Sequence, residues 1–253
     1  MKFLRVLFCL IFCNVTSSNA MSLTLGAALT DRIDHGSDAS LDTCDPCSWA
    51  GWFYPTTITG NRILISKGTN VTGKVILLES AGSGGIQLFM ARTVALNYTY
   101  NTGKILRVNR WWKVAVTLNT SNASGQAAHI YVAESTSTLT EVTYATQVDG
   151  SGPLTDDAAE IFLIGNWPPT NLSWQGQIGR IGFWKNRELQ IPEFEEFFAK
   201  GITTSTGTSL SVSLGFNSNG SQYDDSGKAN NGTVTGAVPS TNGPPIFFPG
   251  GPQ

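Results

Sequence analysis

Short runs of apolar and β-branched residues recur along the chain, separated by Gly, Asn, Asp, Ser and Thr. The first half predicts strands at SLTLG (22–26), SWAGWFYP (48–55), RILISKG (62–68), KVILLES (74–80), GIQLFMAR (85–92) and TVALNYTY (93–100). The second half adds RWWKVAVTL (110–118), AHIYVAE (128–134), EIFLIG (160–165), QIGRIGFW (177–184) and a return strand in SLSVSLGF. This spacing is that of an antiparallel β-sandwich. In WKVAVTL, Trp112, Val114, Val116 and Leu118 share one face and Lys113, Ala115 and Thr117 the other, so one side faces the core. Strict alternation likewise puts Ile178, Arg180 and Gly182 on one face of their strand, with Gly179, Ile181 and Phe183 on the other. Gly176, Gly179 and Gly182 remove side chains where the strand bends or a second backbone comes close.

One segment breaks the strand period. In IPEFEEFFAKG, Phe194, Phe197 and Phe198 fall at i, i+3 and i+4, one apolar stripe of a helix over 192–200. Pro192 suits a first turn, Glu193, Glu195 and Glu196 complement the helix dipole, and Gly201 stops the run. The stripe reads as packing against a sheet.

Composition narrows the classes. A chain of 253 residues with net charge -2 and 13% charged residues has neither the basic surface that nucleic acid requires nor a recruiting charge for anionic lipid. Residues 1–20 place Lys2 and Arg5 before an apolar run and end on Ser18, Asn19 and Ala20, the pattern of a secretory leader, with residues 21–253 as a single domain. The run is too short to span a bilayer, which takes about 20 apolar residues, so membrane insertion is not expected. Beyond the leader only Cys44 and Cys47 remain, and in an oxidising compartment they could close a local disulfide. Sequons at Asn70, Asn97, Asn119, Asn122, Asn171, Asn219 and Asn231 mark polar, turn-like stretches.

Five stretches together are similar to the laminin G-like branch of the concanavalin A-like lectin/glucanase jelly rolls. They are the opening LTLGAALTDRIDHGSDASLD with SWAGWFYPTT, the strand NRILISKG, the strand WWKVAVTL, the closing GQIGRIGFWKNRELQIPEF, and the loop YDDSGKANNGTVTG. In the closing stretch Arg187, Leu189 and Glu193 stand in the matching places. The resemblance implies a two-sheet jelly roll that works by binding carbohydrate or a glycoprotein at its loops, exported or displayed on a surface. The chain from Met21 looks most like single-domain forms in phage and uncultured-virus proteins, which implies as the alternative a viral structural, decoration or fibre protein with virion partners at a virion surface.

The glucanase members resembled here carry a strand of paired carboxylates, and this chain has none. Its acidic clusters (Asp156, Asp157 and Glu160; Asp224 and Asp225; the helix glutamates) fall in turns or on a helix face and read as solvated, leaving a glycosidase only as a third reading. His35 and His129 read as surface residues. The resemblance implies calcium as the cofactor, with Asp224, Asp225 and Asn230 as first candidates and Asp31, Asp34 and Asp38 as second. For sugar, GNWPPTNLSW supplies an aromatic plate and amides on one loop: Asn166, Trp167, Asn171 and Trp174. Trp49, Trp52, Trp112 and Trp184 lie in strand patterns and read as core, whereas Trp111 beside Arg110 reads as exposed.

Overall fold

The computed structural model describes residues 22–245, except 27, 43–44, 70–73, 82–83, 93–97, 122–125, 169–170, 202–209 and 216–220. Cys44, Asn70, Asn97, Asn122 and Asn219 lie outside the described residues. The strands are β1 (Ser22–Leu25), β2 (Arg32–Asp34), β3 (Cys47–Pro55), β4 (Arg62–Thr69), β5 (Lys74–Ala81), β6 (Gly85–Met90), β7 (Tyr98–Asn101), β8 (Trp112–Leu118) and β9 (Ala128–Glu134). They continue as β10 (Thr140–Glu141), β11 (Thr146–Val148), β12 (Phe162–Ile164), β13 (Gly176–Lys185), β14 (Leu210–Gly215), β15 (Ser221–Asp224), β16 (Gly232–Thr235) and β17 (Val238–Ser240). The helix α1 (Ile191–Lys200) falls between β13 and β14.

All described pairings are antiparallel. One sheet runs β10-β9-β8-β3-β13, and the far side of β13 is shared by β1, with β17 beyond it, and by β14. The second runs β11-β7-β6-β5-β4-β12-β2-β16-β15, and a β14–β15 pairing joins the two. Side chains of the inner faces meet in one core, where Phe162 of the second sheet packs on Phe183 of the first at 5.8 Å between ring centroids. The expected β-sandwich is therefore the fold.

Two details differ from simple alternation. A register shift in β13 between Ile178 and Ile181 inserts an extra residue, so both isoleucines enter the inner core together with Phe183. The opposed faces expected for Ile178 and Ile181 are thus corrected by a bulge. In β8 every residue is buried, because α1 covers the outer face of the first sheet. There Phe194, Phe197 and Phe198, each at most 1% exposed, pack on Ala50, Trp52, Ala115 and Trp184. Glu193 accepts the Gln190 N–H at 2.9 Å to cap the helix start. At its end Arg180 donates to the carbonyl oxygens of Phe197 and Phe198 at 3.0 and 3.3 Å, a cation where the dipole favours one.

Three residues expected at the surface are buried. Trp111 is 6% exposed, covered by Tyr54 at 5.4 Å. Asp157 is 2% exposed because the fully buried Lys67 draws it in, at 3.7 Å, beside Asp42 at 2.7 Å. His35 is 5% exposed: the register that pairs Thr233 with Asp34 sets Gly232 against His35, and a glycine leaves room for the imidazole. His129 is half-buried, its Nδ1 2.7 Å from the Glu141 carboxylate.

Candidate functional site

At the β9–β10 edge the two sheets separate and leave a cleft of about 510 Å³. Its inner wall is apolar: Trp112, Val132, Val142 and Ile105, all belonging to or packed against the inner core. Its rim is hydroxylated: Ser137, Thr138, Thr140 and Thr143 are exposed, and Thr102 lies deeper. Local chain geometry builds both parts. Trp112 is held by its indole N–H, which donates to the Arg107 carbonyl at 3.0 Å. The turn after β9 is closed by Ser135 N–H to Trp111 O at 3.0 Å and Ser137 N–H to Glu134 O at 2.8 Å. Val142 N–H then bonds Ile130 O at 3.0 Å, which aims the 138–143 segment back over the sheet. Opposite, Gly84 takes φ of 89° and its carbonyl accepts Ile105 and Leu106 N–H at 3.0 and 2.7 Å, fixing the other lip. A β-carbon on Gly84 would stand 2.5 Å from the Leu106 carbonyl oxygen, so the lip needs glycine there.

Among the described residues lining the cleft only Glu134 is a carboxylate, and it pairs with Arg110. Just outside, Tyr144 donates to Glu141 and accepts Ile130 N–H at 2.8 Å, and burial pushes its phenol well above the ordinary range. Tyr100 is raised in the same way by burial and by its bond to Asp149. Both phenols stay neutral at any physiological pH. The arrangement offers an apolar wall for a C–H-rich face and hydroxyls that both donate and accept.

The loop predicted from sequence is divided by the fold. Asn166 is fully buried: its amide nitrogen donates to Leu29 O and Asp31 O at 2.7 and 3.1 Å, and its oxygen accepts Trp167 and Leu172 N–H. Trp174 is 1% exposed, edge-on to Phe53 at 5.6 Å in the inner core. Neither can meet a ligand, so both assignments are corrected: one organises the loop and the other fills the core. Trp167 and Asn171 do come together, with the half-buried indole donating to Asn171 Oδ1 at 2.7 Å over a small patch of Ile63, Phe89 and Leu172. Nothing local in the sequence marks the hydroxyl residues of ESTSTLTEVT (134–143) or Trp112 as lining a cleft. Clustered Ser and Thr are ordinary in turns, and a strand tryptophan reads as core until its neighbours are known.

No family model matches the sequence, and no curated protein matches it significantly. Solved structures do resemble it. A candidate carbohydrate-binding protein from Bacteroides ovatus superposes over 87% of this chain and 59% of its own, with a TM-score of 0.58 and 13% identity. A heptameric SAP-like pentraxin from Limulus polyphemus superposes over 88% of this chain and 96% of its own, with a TM-score of 0.52 and 10% identity. The chain shares the jelly-roll β-sandwich fold of these two proteins. At such identities the likeness concerns the fold alone, and this jelly roll spans about three-fifths of the Bacteroides protein.

The loops expected to hold calcium in this jelly roll use their oxygens otherwise. Asp224 accepts Ser226 N–H and Oγ–H at 2.9 and 2.7 Å and Asn230 N–H at 3.0 Å, while the Asn230 amide donates to Ser40 at 2.8 Å and Asp225 is exposed. Asp31, Asp34 and Asp38 each accept a backbone N–H in a different turn, from Gly26, Gly36 and Ser40. These donor sets fit turns and do not fit a hard cation, which needs six or so converging oxygens. Among the described residues no group of three or more His, Cys, Asp or Glu converges as a metal site. Cys47 is buried at the start of β3.

Proposed function

We propose that this jelly roll is a non-catalytic binding module that holds glycan in the cleft beside Trp112. The observation that carries the reading is the pairing of an apolar wall with a rim of side-chain hydroxyls in one cleft of about 510 Å³. A pyranose has matching surfaces, a C–H face for the wall and hydroxyls for the rim, and pockets of roughly 300–1,000 Å³ are the usual size for small-ligand sites. The Bacteroides ovatus protein, a candidate carbohydrate binder, supports the ligand class. Among the described residues lining the cleft, Glu134, paired with Arg110, is the single carboxylate, whereas hydrolysis by either common route uses two. Export through residues 1–20 and a Cys44–Cys47 bridge belong to the proposal as well, since a secreted glycan binder would meet its ligand outside the cell.

The test is a glycan array probed with the wild type and with a Thr138→Val, Thr140→Val double variant. Loss of the bound glycans in the double variant supports the cleft. A Trp167→Ala variant run alongside distinguishes the Trp167–Asn171 patch as the seat, and release of reducing sugar from any bound polysaccharide contradicts the non-catalytic reading.

A further inference from the structure

A second, smaller cleft of about 200 Å³ lies on the other side of the 135–138 turn, between that turn, the last turn of α1 and Pro245. Ser137 and Thr138 line both clefts, so one turn forms a shared partition. The floor is aromatic: Trp52 and Phe198 meet edge to face at 5.2 Å, and the Trp52 indole N–H points at the Phe198 carbonyl at 3.4 Å. Above the floor stands a charged pair. Lys113, 5% exposed, places Nζ 2.5 Å from Glu195 Oε2 and about equally far from both rings, at 6.0 and 5.9 Å from their centroids. The other carboxylate oxygen, Glu195 Oε1, accepts Leu139 N–H at 2.6 Å.

Besides the bonds from Arg180 and Trp52 to the carbonyls at the helix end, the described helix-to-sheet contact is made by apolar residues, Ala50, Ala115, Trp184, Phe194 and Phe197. A buried ion pair gives such a contact little net stability, and apolar residues of similar volume often do as well or better. The pair sits only where the contact opens into the cleft. There Lys113 has N–H donors beyond the one facing Glu195, Glu195 has lone pairs at the cleft wall, and the turn adds hydroxyls. An anion would meet the Glu195 charge and a cation the Lys113 charge, so the pair selects a neutral ligand rich in hydroxyls. The volume admits about one ring.

We propose that this cleft is a second subsite, taking a single neutral hydroxylated ring such as a hexose residue, with Lys113 and Glu195 as its donor and acceptor. The ligand class rests on the glycan reading above; the location does not. Because Ser137 and Thr138 face both clefts, a glycan chain crossing the turn would engage the two subsites together and gain affinity beyond either alone.

The two tryptophan indoles make the subsites separately visible. The Trp52 N–H resonance reports the small cleft and the Trp112 N–H resonance the large one, each assigned from its Trp→Phe variant in ¹H–¹⁵N spectra. The methyl glycosides of glucose, galactose, mannose and N-acetylglucosamine are titrated into the wild type, Lys113→Met and Glu195→Gln. The expected result is that one glycoside shifts both indoles in the wild type, and that Lys113→Met weakens the Trp52 response at least tenfold while the Trp112 response persists. Glu195→Gln keeps an acceptor for Leu139 N–H, and it is expected to weaken the Trp52 response while melting within a few degrees of the wild type. A Trp112 shift with no Trp52 shift overturns the second subsite and leaves the first standing. Silence of both resonances overturns both. An unchanged Trp52 titration in the two variants also overturns the assignment of Lys113 and Glu195.

Discussion

Gly176 presses its backbone against Tyr54. It opens β13 at φ of 140°, and a β-carbon there would collide with the Tyr54 carbonyl oxygen and stand 3.0 Å from Thr56 N. The central β3–β13 pairing that begins at this point extends from Gly176 opposite Pro55 to Lys185 opposite Cys47. Gly176→Ala is expected to cost at least about 2–3 kcal/mol, from backbone strain together with overlap at a strand that cannot retreat. Gly227 has φ of 80° but nothing within 4 Å, so Gly227→Ala is expected to cost only the strain, about 1 kcal/mol. Thermal melts followed by circular dichroism rank the two.

The helix is held by aromatic packing more than by its own turns. The Phe197 ring meets Trp184 edge to face at 4.8 Å, and both are fully buried. Truncating Phe197 to Ala leaves a cavity between helix and sheet and is expected to destabilise the fold by about 3–5 kcal/mol, read from urea denaturation. Because α1 also forms one wall of the smaller cleft, Lys113 should become more exposed in that variant.

Acid should loosen the loop that follows β15. The neutral His35 is enclosed, with Nδ1 2.7 Å from the Asn230 carbonyl and Phe162 edge-on at 6.1 Å. Burial lowers its pKa below the ordinary 6.5, against smaller opposing effects of the Asn230 carbonyl and of Asp224 and Asp34. The unfolded chain therefore takes up the proton first. Stability is full above about pH 6.5 and declines as pH falls below it. His35→Gln should flatten the melting-temperature profile between about pH 6.5 and 5. Loss at lower pH has another source: Asp38, kept below its ordinary 3.8 by hydrogen bonds from Ser40, becomes protonated only in that range. A variant profile that falls as steeply as the wild type between pH 6.5 and 5 would remove His35 from this account.

Much of this architecture could be read before any coordinates. Alternation located the long strands, and the Phe194, Phe197 and Phe198 stripe located α1, because both signals are local periods of the chain. What escaped depends on pairing between distant segments. His35 is interior because Gly232, some two hundred residues away, leaves space beside it. Asp157 is interior because Lys67 is already there, and Ile178 and Ile181 share a face because β13 carries a bulge that its composition does not announce. Short edge strands such as β10 and β17, two and three residues long, lack enough alternation to be seen. The clefts were illegible for the same reason, since their walls come from β3, β8, β9, β10, α1 and intervening turns.

Calcium offers a direct check on the acidic loops. Since the Asp224 oxygens already accept three hydrogen bonds, adding a chelator or millimolar calcium should leave the melting temperature unchanged within about 1 °C. A rise of several degrees with calcium would show that the loop rearranges around an ion.

The central claim is that glycan occupies the cleft beside Trp112, and isothermal titration calorimetry of array-selected glycans against the wild type and the Thr138→Val, Thr140→Val variant tests it most directly. The rim hydroxyls should each contribute about 0.5–1.5 kcal/mol, so the double variant is expected to bind roughly 5- to 150-fold more weakly at an unaltered melting temperature. Equal affinity in the two proteins, with binding lost instead in Trp167→Ala, would place the ligand on the outer patch and contradict the account.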